Sequence, residues 1–271
     1  MNIPISEEAD ADKPSLRLAF DDPEFMHRDE NRGIRLQLEL LKADLAQNEA
    51  GIHQTVVVFG SARFVSLEQA QSLLAQADQS QDANQLAKAK TALKNAAYYE
   101  AARNFAKLVA TDSLHVPQDQ RLTICTGGGP GIMEAANRGA SEAGAQSVAL
   151  NILLPHEQRP NPYVTEHLSF KFHYFAMRKM HFVMRAKALV AFPGGFGTMD
   201  ELFEILTLVQ TGKTPRVPIL LFGSDFWKNV VNFEAMQAEG TVSEVDLACF
   251  QYVDTPEQAW AVIKSFHLDS R

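Results

Sequence analysis

Hydrophobic residues follow two alternating patterns along the chain, namely short continuous apolar runs and longer stretches with an apolar residue every three or four positions. The short runs are rich in Val, Ile, Leu and Phe, which is typical of buried parallel strands. We predict seven strands, at residues 55–59, 122–126, 147–153, 168–172, 188–192, 217–222 and 250–253. Because helical stretches separate these runs, the pattern predicts an α/β fold, with a doubly wound, mostly parallel sheet and helices on both faces.

The N-terminal part of the chain has a different pattern. Residues 1–29 are polar and acidic without periodicity, which predicts a loose arm that a few apolar side chains could hold against the body. These are Leu16, Leu18, Phe20 and Phe25. An amphipathic helix should follow and end near Gly51, with its apolar stripe packed on the main domain or on a partner subunit. The stripe consists of Ile34, Leu38, Leu41 and Leu45.

The long segment from residue 66 to residue 110 is rich in Ala, Gln and Leu, and we expect it to be mostly helical. Its polar middle, residues 76–90, suggests an exposed hairpin of two helices. We therefore divide the chain into an N-terminal arm and helix, residues 1–50, and a single domain, residues 51–271.

The stretch from Val190 to Glu201 carries the strongest chemical signal. It passes from an apolar strand through a Pro-Gly-Gly-Phe-Gly loop into helical periodicity. Glycines let a backbone approach a ligand closely, and the N–H groups at a helix start attract phosphate. A structural alternative remains open, because Thr198 and Glu201 have the spacing of a capping box.

Two further glycine turns follow predicted strands. Gly60-Ser61 comes after the first strand, and the run from Gly127 to Gly131 comes after the second. In a doubly wound sheet, ligands bind outside the carboxyl ends of the strands. The three turns are therefore expected to face one ligand.

A predicted helix over residues 174–187 precedes the central loop. At about 100° per residue, Arg178, His181 and Arg185 fall on one face of it. They form either a solvated polar stripe or a cationic wall that faces the glycine turns. In the second case an arginine could bind phosphate or a base with its forked guanidinium.

Composition and motif tests exclude several classes of function. The net charge is -8 with a pI near 5.5, which argues against binding to nucleic acid or to an anionic membrane. The acidic N-terminus is unlike a signal peptide, and no apolar run reaches the roughly 18 residues of a membrane span, so we expect a cytoplasmic protein. The dinucleotide fingerprint fails from Gly127, Gly129 and Gly195, and the histidines lack metal-ligand spacing. We therefore expect no nicotinamide or flavin cofactor and no metal.

Three segments resemble the LONELY GUY (LOG) family, whose members are often mislabelled as possible lysine decarboxylases. They are residues 127–134 (GGGPGIME), 177–179 (MRK) and 193–201 (PGGFGTMDE). The resemblance covers about residues 55–255 and is nearer to the longer bacterial type. It implies a Rossmann-like fold without a cofactor, a homo-oligomer, and hydrolysis of nucleoside 5'-monophosphates to free base and ribose 5-phosphate. The substrate would be AMP or a cytokinin riboside monophosphate.

The resemblance also implies roles for individual residues. Glu201 and Arg178 match the catalytic glutamate and arginine of the family. The phosphate-binding loop corresponds to Gly194, Gly195, Gly197 and Thr198. The second nucleotide-contacting turn corresponds to Gly127, Gly128 and Gly129 with Glu134, and Ser61 and Arg63 are further contacts. Glu134 could instead only cap its helix.

Two other functions stay open at this point. Similar folds carry nucleotides or the molybdenum cofactor without catalysis, and a fold does not fix a function. The pairing of Glu201 with Arg178 favours an enzyme over such a carrier. A true lysine decarboxylase would need a lysine for pyridoxal phosphate, and no lysine here has a convincing setting. Neither the preferred base nor the number of subunits follows from the sequence.

Overall fold

The computed structural model describes residues 14–80, 82–155 and 159–269. Its centre is a seven-stranded sheet in the order β4-β3-β2-β1-β5-β6-β7, in which all six neighbouring pairs are parallel. The strands are β1 Gln54–Phe59, β2 Leu122–Thr126, β3 Ser147–Ile152, β4 Ser169–Phe172, β5 Ala186–Ala191, β6 Ile219–Phe222 and β7 Gln251–Val253. The predicted doubly wound, Rossmann-like α/β architecture is confirmed.

Eleven α-helices are present in the described part of the chain. They are α1 Pro23–Met26, α2 Arg32–Glu49, α3 Leu67–Ser80, α4 Ala83–Ser113, α5 Ile132–Glu142, α6 Phe175–Met184, α7 Phe196–Gln210, α8 Ser224–Val230, α9 Phe233–Ala238, α10 Glu244–Leu247 and α11 Pro256–Asp269. The helices α3 and α4 form the predicted hairpin. None of these described helices is both long and apolar enough to cross a membrane.

The sheet separates two apolar clusters, one on each face. Val56 and Val58 of β1 point into one cluster with residues of α4, α5 and α11. Val57 and Phe59 point into the other with residues of α2, α6 and α7. The alternation follows from the two-residue period of a strand, and burial on both faces explains why the strand sequences are continuously apolar.

From β1 the chain adds β2, β3 and β4 on one side of the sheet, and it then returns to add β5, β6 and β7 on the other side of β1. The loops after β1 and β5 therefore diverge and leave a crevice at their carboxyl ends, where doubly wound folds bind ligands. The turn after β2 lies on the same edge, so all three glycine turns surround this crevice.

Helix α6 ends earlier than predicted. It stops at Met184 rather than near residue 187, and β5 already begins at Ala186. The carbonyl of Arg185 accepts a hydrogen bond from Thr55 N at 2.8 Å. Pairing with β1 therefore ends the helix before this residue, although the helical pattern continues in the sequence.

The apolar stripe of α2 does not pack on the body of the protein. Its four members are between 40% and 52% exposed, whereas Ala43 and Gln47 on the opposite face are buried. The expectation that the stripe packs on the main domain is therefore wrong, and contact with a partner subunit stays a prediction. The stripe consists of Ile34, Leu38, Leu41 and Leu45.

The predicted N-terminal arm is only partly described, because residues 1–13 lie outside the described residues. Leu16, Leu18 and Phe20 are exposed, so they do not hold the arm against the body as expected. Phe25 is partly buried in the short helix α1. The proposed division near residue 50 stays a prediction.

Candidate functional site

The three glycine turns are joined to one another by backbone contacts. Ser61 N donates to Pro193 O at 2.9 Å, and Ile132 N donates to Ser61 O at 3.0 Å. Gly131 has a φ of 73°, and a Cβ at this position would lie 2.2 Å from Ser61 O. Glycine therefore allows both the left-handed conformation and the close approach. The contacts hold the ends of β1, β2 and β5 in one fixed arrangement.

A cavity of about 730 Å³ opens at this edge of the sheet. The turn after β1 contributes Ser61 and Arg63 to its wall, and α6 contributes Phe175 and Arg178. The loop before α7 and the first turns of that helix form a long part of the wall, from residue 194 to residue 201. The volume is within the range of pockets that hold a small ligand.

Helix α7 starts at the glycine loop, with Gly195 at its N-cap position. Thr198 N and Met199 N both donate to Gly195 O at 3.0 Å. Because the first N–H groups of a helix have no acceptor within it, Phe196 N and Gly197 N remain available to a ligand. A Cβ at Gly195 or Gly197 would meet no atom within 4 Å, so a ligand could approach this backbone.

The capping-box interpretation of Thr198 and Glu201 is wrong. The helix begins two residues before Thr198, so Thr198 lies inside its first turn and cannot be the cap. Gly194 provides space for the Thr198 hydroxyl, since a Cβ there would lie 2.1 Å from Oγ1. Glu201 is consequently not engaged in capping and is available for another role.

Glu201 and Arg178 form a buried pair in the wall of the cavity. Oε1 of Glu201 lies 3.4 Å from Nη1 of Arg178, and the two side chains are 7% and 13% exposed. Arg178 Nε donates to Leu150 O at 2.8 Å, and its guanidinium carbon lies 4.9 Å from the centre of the Phe182 ring. Gly127 leaves room for the guanidinium, because a Cβ there would lie 2.7 Å from Nη2.

Burial raises the pKa of Glu201 to about 7, although the positive charges of Arg178 and Lys179 act in the opposite direction. Glu204 and Asp200 raise this pKa slightly further. A carboxylate with a pKa near neutrality can both release and accept a proton at physiological pH, as general acid–base catalysis requires. Burial also lowers the pKa of Arg178 from its usual range.

The predicted cationic wall is not present. His181 Nε2 lies 3.1 Å from Leu40 O, and Arg185 donates to Asp44 and Asn48 at 2.6 and 2.8 Å. Both side chains therefore contact α2 rather than the glycine turns. The solvated stripe is also wrong, since both residues are buried. Because α6 ends at Met184 and α2 covers this side, Arg178 is the one member of this set of three that lines the cavity.

Glu134 is directed toward α4. Its Oε1 accepts a hydrogen bond from the Tyr99 hydroxyl at 2.8 Å, while its neighbour Met133 lines the cavity. Gly127 lies beside Arg178, Gly128 lies beside the Asn151 amide, and Gly129 O accepts a hydrogen bond from Asn161 Nδ2. Ser61 and Arg63 lie in the cavity wall. The roles of these residues toward a substrate stay predictions.

Sequence reasoning missed a buried amide network behind the second glycine turn. Asn161 Nδ2 lies 3.2, 3.0 and 2.9 Å from Gly128 O, Gly129 O and Asn137 Oδ1. Thr126 Oγ1 accepts from Gly128 N and donates to Asn137 Oδ1. The network fixes the conformation of the turn. Asn161 stands between two prolines in a segment that has only the features of a loop.

The described residues contain no group of three or more His, Cys, Asp or Glu side chains that could hold a metal ion.

The family model described as "Possible lysine decarboxylase" matches residues 133–263. The pyrimidine/purine nucleotide 5'-monophosphate nucleosidase of Escherichia coli K12 is 34% identical over 114 residues. This match covers 38% of the present chain and only 25% of the length of that protein. Cytokinin riboside 5'-monophosphate phosphoribohydrolase LOG7 of Arabidopsis thaliana is 40% identical over 52 residues, which are 19% of this chain and 24% of the plant protein.

Solved structures with a similar fold include the molybdenum cofactor binding protein of Rippkaea orientalis. It is 16% identical with a TM-score of 0.47, and the match covers 79% of this chain and 96% of that chain. The Moco carrier protein of Chlamydomonas reinhardtii is 19% identical with a TM-score of 0.47, over 80% of this chain and 98% of that chain.

Proposed function

We propose that this chain, which is related to the LOG family over residues 133–263, hydrolyses the N-glycosidic bond of nucleoside 5'-monophosphates. The products are the free base and ribose 5-phosphate. The buried pair of Glu201 and Arg178 beside the N-terminus of α7 carries this proposal. AMP and cytokinin riboside 5'-monophosphates are the substrates to test first.

The 5'-phosphate binds at the start of α7. Phe196 N and Gly197 N donate to it, and the positive end of the helix dipole favours its charge. The first turn of α7 contains no acidic residue that would repel the phosphate. The Thr198 hydroxyl adds a side-chain contact. Fixing the phosphate in this way places the ribose above Glu201, one turn further along the helix.

In the reaction the bond between C1' and the base nitrogen breaks, and the ribose acquires oxocarbenium character. The carboxylate of Glu201 stabilises this positive charge. As water forms the new bond to C1', Glu201 accepts one of its protons and passes it to the departing base, while the other proton stays on the new hydroxyl. A pKa of about 7 suits both steps. Arg178 keeps the carboxylate in place and balances its charge.

The experiment is incubation of the purified chain with a panel of nucleoside 5'-monophosphates, followed by chromatography of the released base. Glu201→Gln should lower kcat by about 10²–10⁴-fold while AMP binding, measured by calorimetry, is retained. Glu204→Gln is the matched control, because it removes a carboxylate from the same helix that is partly exposed and bonded to Lys179. Its kcat should stay close to that of the wild type.

The same panel distinguishes the alternatives. Full activity in Glu201→Gln would contradict the proposed role of this carboxylate. Tight binding of a nucleotide without any base release would favour a carrier instead of an enzyme. An absorption band of pyridoxal phosphate in the purified protein would favour a decarboxylase.

A further inference from the structure

A second cavity, of about 670 Å³, lies between the turn after β1 and the N-terminal third of α4. It shares Ser61 and Arg63 with the candidate active site. Lys88, Thr91 and Asn95 of α4 line the opposite side. We call this cavity the α4 groove. Because two residues belong to both cavities, a ligand in the candidate active site can extend into the groove.

We propose that the α4 groove binds a second phosphoryl group attached to the 5'-phosphate, so that the site accepts nucleoside 5'-diphosphates as well as monophosphates. This inference rests on the proposed function, since it assumes that the 5'-phosphate lies at the start of α7.

The position of the groove supports this assignment. Ser61 N donates to Pro193 O at 2.9 Å, and Pro193 is three residues before Phe196, whose N–H faces the proposed phosphate. The groove therefore opens near the phosphate end of the candidate active site. Val230, the last residue of α8, and Val231 line the candidate active site. A group that continues beyond the 5'-phosphate would enter the groove directly.

The charge of the groove also fits a phosphoryl group. Arg63 and Lys88 approach from its two walls, and the Thr91 hydroxyl and Asn95 amide supply uncharged hydrogen-bonding groups. Arg63 can bind phosphate oxygens through two nitrogens, and Lys88 acts as a point charge. These two cations are notable in a chain with a net charge of -8.

Asp82, whose charge interacts with that of Lys88, is hydrogen-bonded to the start of α4. Asp82 is the N-cap of α4, and its Oδ1 accepts from Asn84 N and Gln85 N at 2.8 and 3.3 Å. These backbone donors, mainly that of Asn84, lower the pKa of Asp82, with a smaller effect from Lys88. Asp82 therefore serves the start of α4.

The floor of the groove is preorganised and partly apolar. The Phe64 ring is stacked on Tyr98, with centroids 6.0 Å apart and planes 21° apart. Ala87 and Ala92 complete the apolar lining. Since α4 belongs to the hairpin between β1 and β2, this insertion supplies one whole wall of the groove.

The test is calorimetric titration of the full chain with ADP and, separately, with AMP at physiological ionic strength. Lys88→Met removes the charge and keeps most of the apolar stem. It should raise the Kd for ADP by about ten-fold and that for AMP by less than about two-fold. Lys90→Met is the matched control, because Lys90 is exposed and points about 200° away around the same helix. It should change neither Kd.

An unchanged ratio of ADP to AMP affinity in Lys88→Met would overturn the inference, as would failure of the wild type to bind ADP. Release of adenine from AMP is measured separately and tests only the proposed function. If ADP binding depends on Lys88 while AMP is never hydrolysed, the groove is a phosphate site and the proposed hydrolase activity fails.

Discussion

Oε1 of Glu201 lies 3.4 Å from Nη1 of Arg178, and the two residues come from consecutive helices, α7 and α6, that flank β5 in sequence. Each side chain reduces the cost of burying the charge of the other. The pair therefore controls how easily Glu201 exchanges its proton, which is the property that the proposed hydrolysis uses.

The first prediction concerns pH. Because the reaction needs the ionised carboxylate of Glu201, kcat/KM for AMP should fall as the pH drops through about 7. Arg178→Met removes the largest effect that lowers this pKa, while burial and the repulsion from Asp200 and Glu204 remain. In the variant, the fall of kcat/KM on the acidic side of the pH profile, its acidic limb, should therefore occur at higher pH. Profiles of kcat/KM from pH 5.5 to pH 9 measure both positions.

Lys179 provides the control for this experiment. It also lowers the pKa of Glu201, but its ammonium is bonded to Asp200 and Glu204 at 2.9 and 2.7 Å. Lys179→Met should shift the limb less than Arg178→Met. Identical profiles for the wild type and Arg178→Met would mean that Glu201 does not determine the acidic limb.

The sheet could be predicted from the sequence because its strands are buried on both faces. β2 has the predicted bounds, and β1, β3 and β4 differ by one residue at one end. The end of α6 could not be predicted, since the residues around Arg185 keep helical spacing and only pairing with β1 stops the helix. The short helices α9 and α10 were also missed, since neither has room for a periodic pattern.

The site could be predicted from the local sequence less completely than the sheet. The glycines and the spacing of Arg178 and Glu201 were informative because they belong to compact motifs. The capping box failed because the glycine loop itself starts α7. Asn161 was missed because the three acceptors of its Nδ2 are 24 or more positions away along the chain.

The second prediction compares two glycines with similar positive φ angles. Gly131 and Gly144 have φ values of 73° and 75°. Alanine at either position should lower the free energy of unfolding by about 1–3 kcal/mol, because a residue with a side chain rarely adopts a positive φ. At Gly131 an added Cβ would also meet Ser61 O, whereas at Gly144 it would meet no atom within 4 Å. Gly131→Ala should therefore be the more destabilising change.

Urea denaturation measures both variants, and their difference combines the contact with Ser61 and the ψ of −131° at Gly131. Gly131→Ala should also raise KM for AMP, because it displaces the turn after β1, while Gly144→Ala should leave KM unchanged. Equal losses of stability in the two variants would show that the turns after β1 and β2 can move apart without a further loss of stability.

The third prediction concerns the amide network. Asn161→Ala leaves buried carbonyls of Gly128 and Gly129 without the side-chain donor, which should lower the free energy of unfolding by about 1–3 kcal/mol. Asn161→Asp should be worse, since it replaces donors with acceptors. Asn229→Ala is the control, because its amide bonds Asp225 O in an exposed position. A change within about 0.5 kcal/mol is expected there. The three variants are compared by thermal and urea unfolding. Equal free energies of unfolding would show that the network does not stabilise the fold.

The last prediction concerns the number of subunits. The stripe of α2 presents four large aliphatic side chains to solvent on one helix face, and such patches are characteristic of protein contacts. We expect a second copy of the chain to cover it. Leu38→Lys combined with Leu41→Lys should convert the oligomer into smaller species in light scattering. The free energy of unfolding of the monomer should change little, since both side chains are about half exposed. Leu73→Lys, at an exposed leucine of α3, should leave the oligomer intact. A wild type that is monomeric at micromolar concentration would instead leave α2 without a role in assembly.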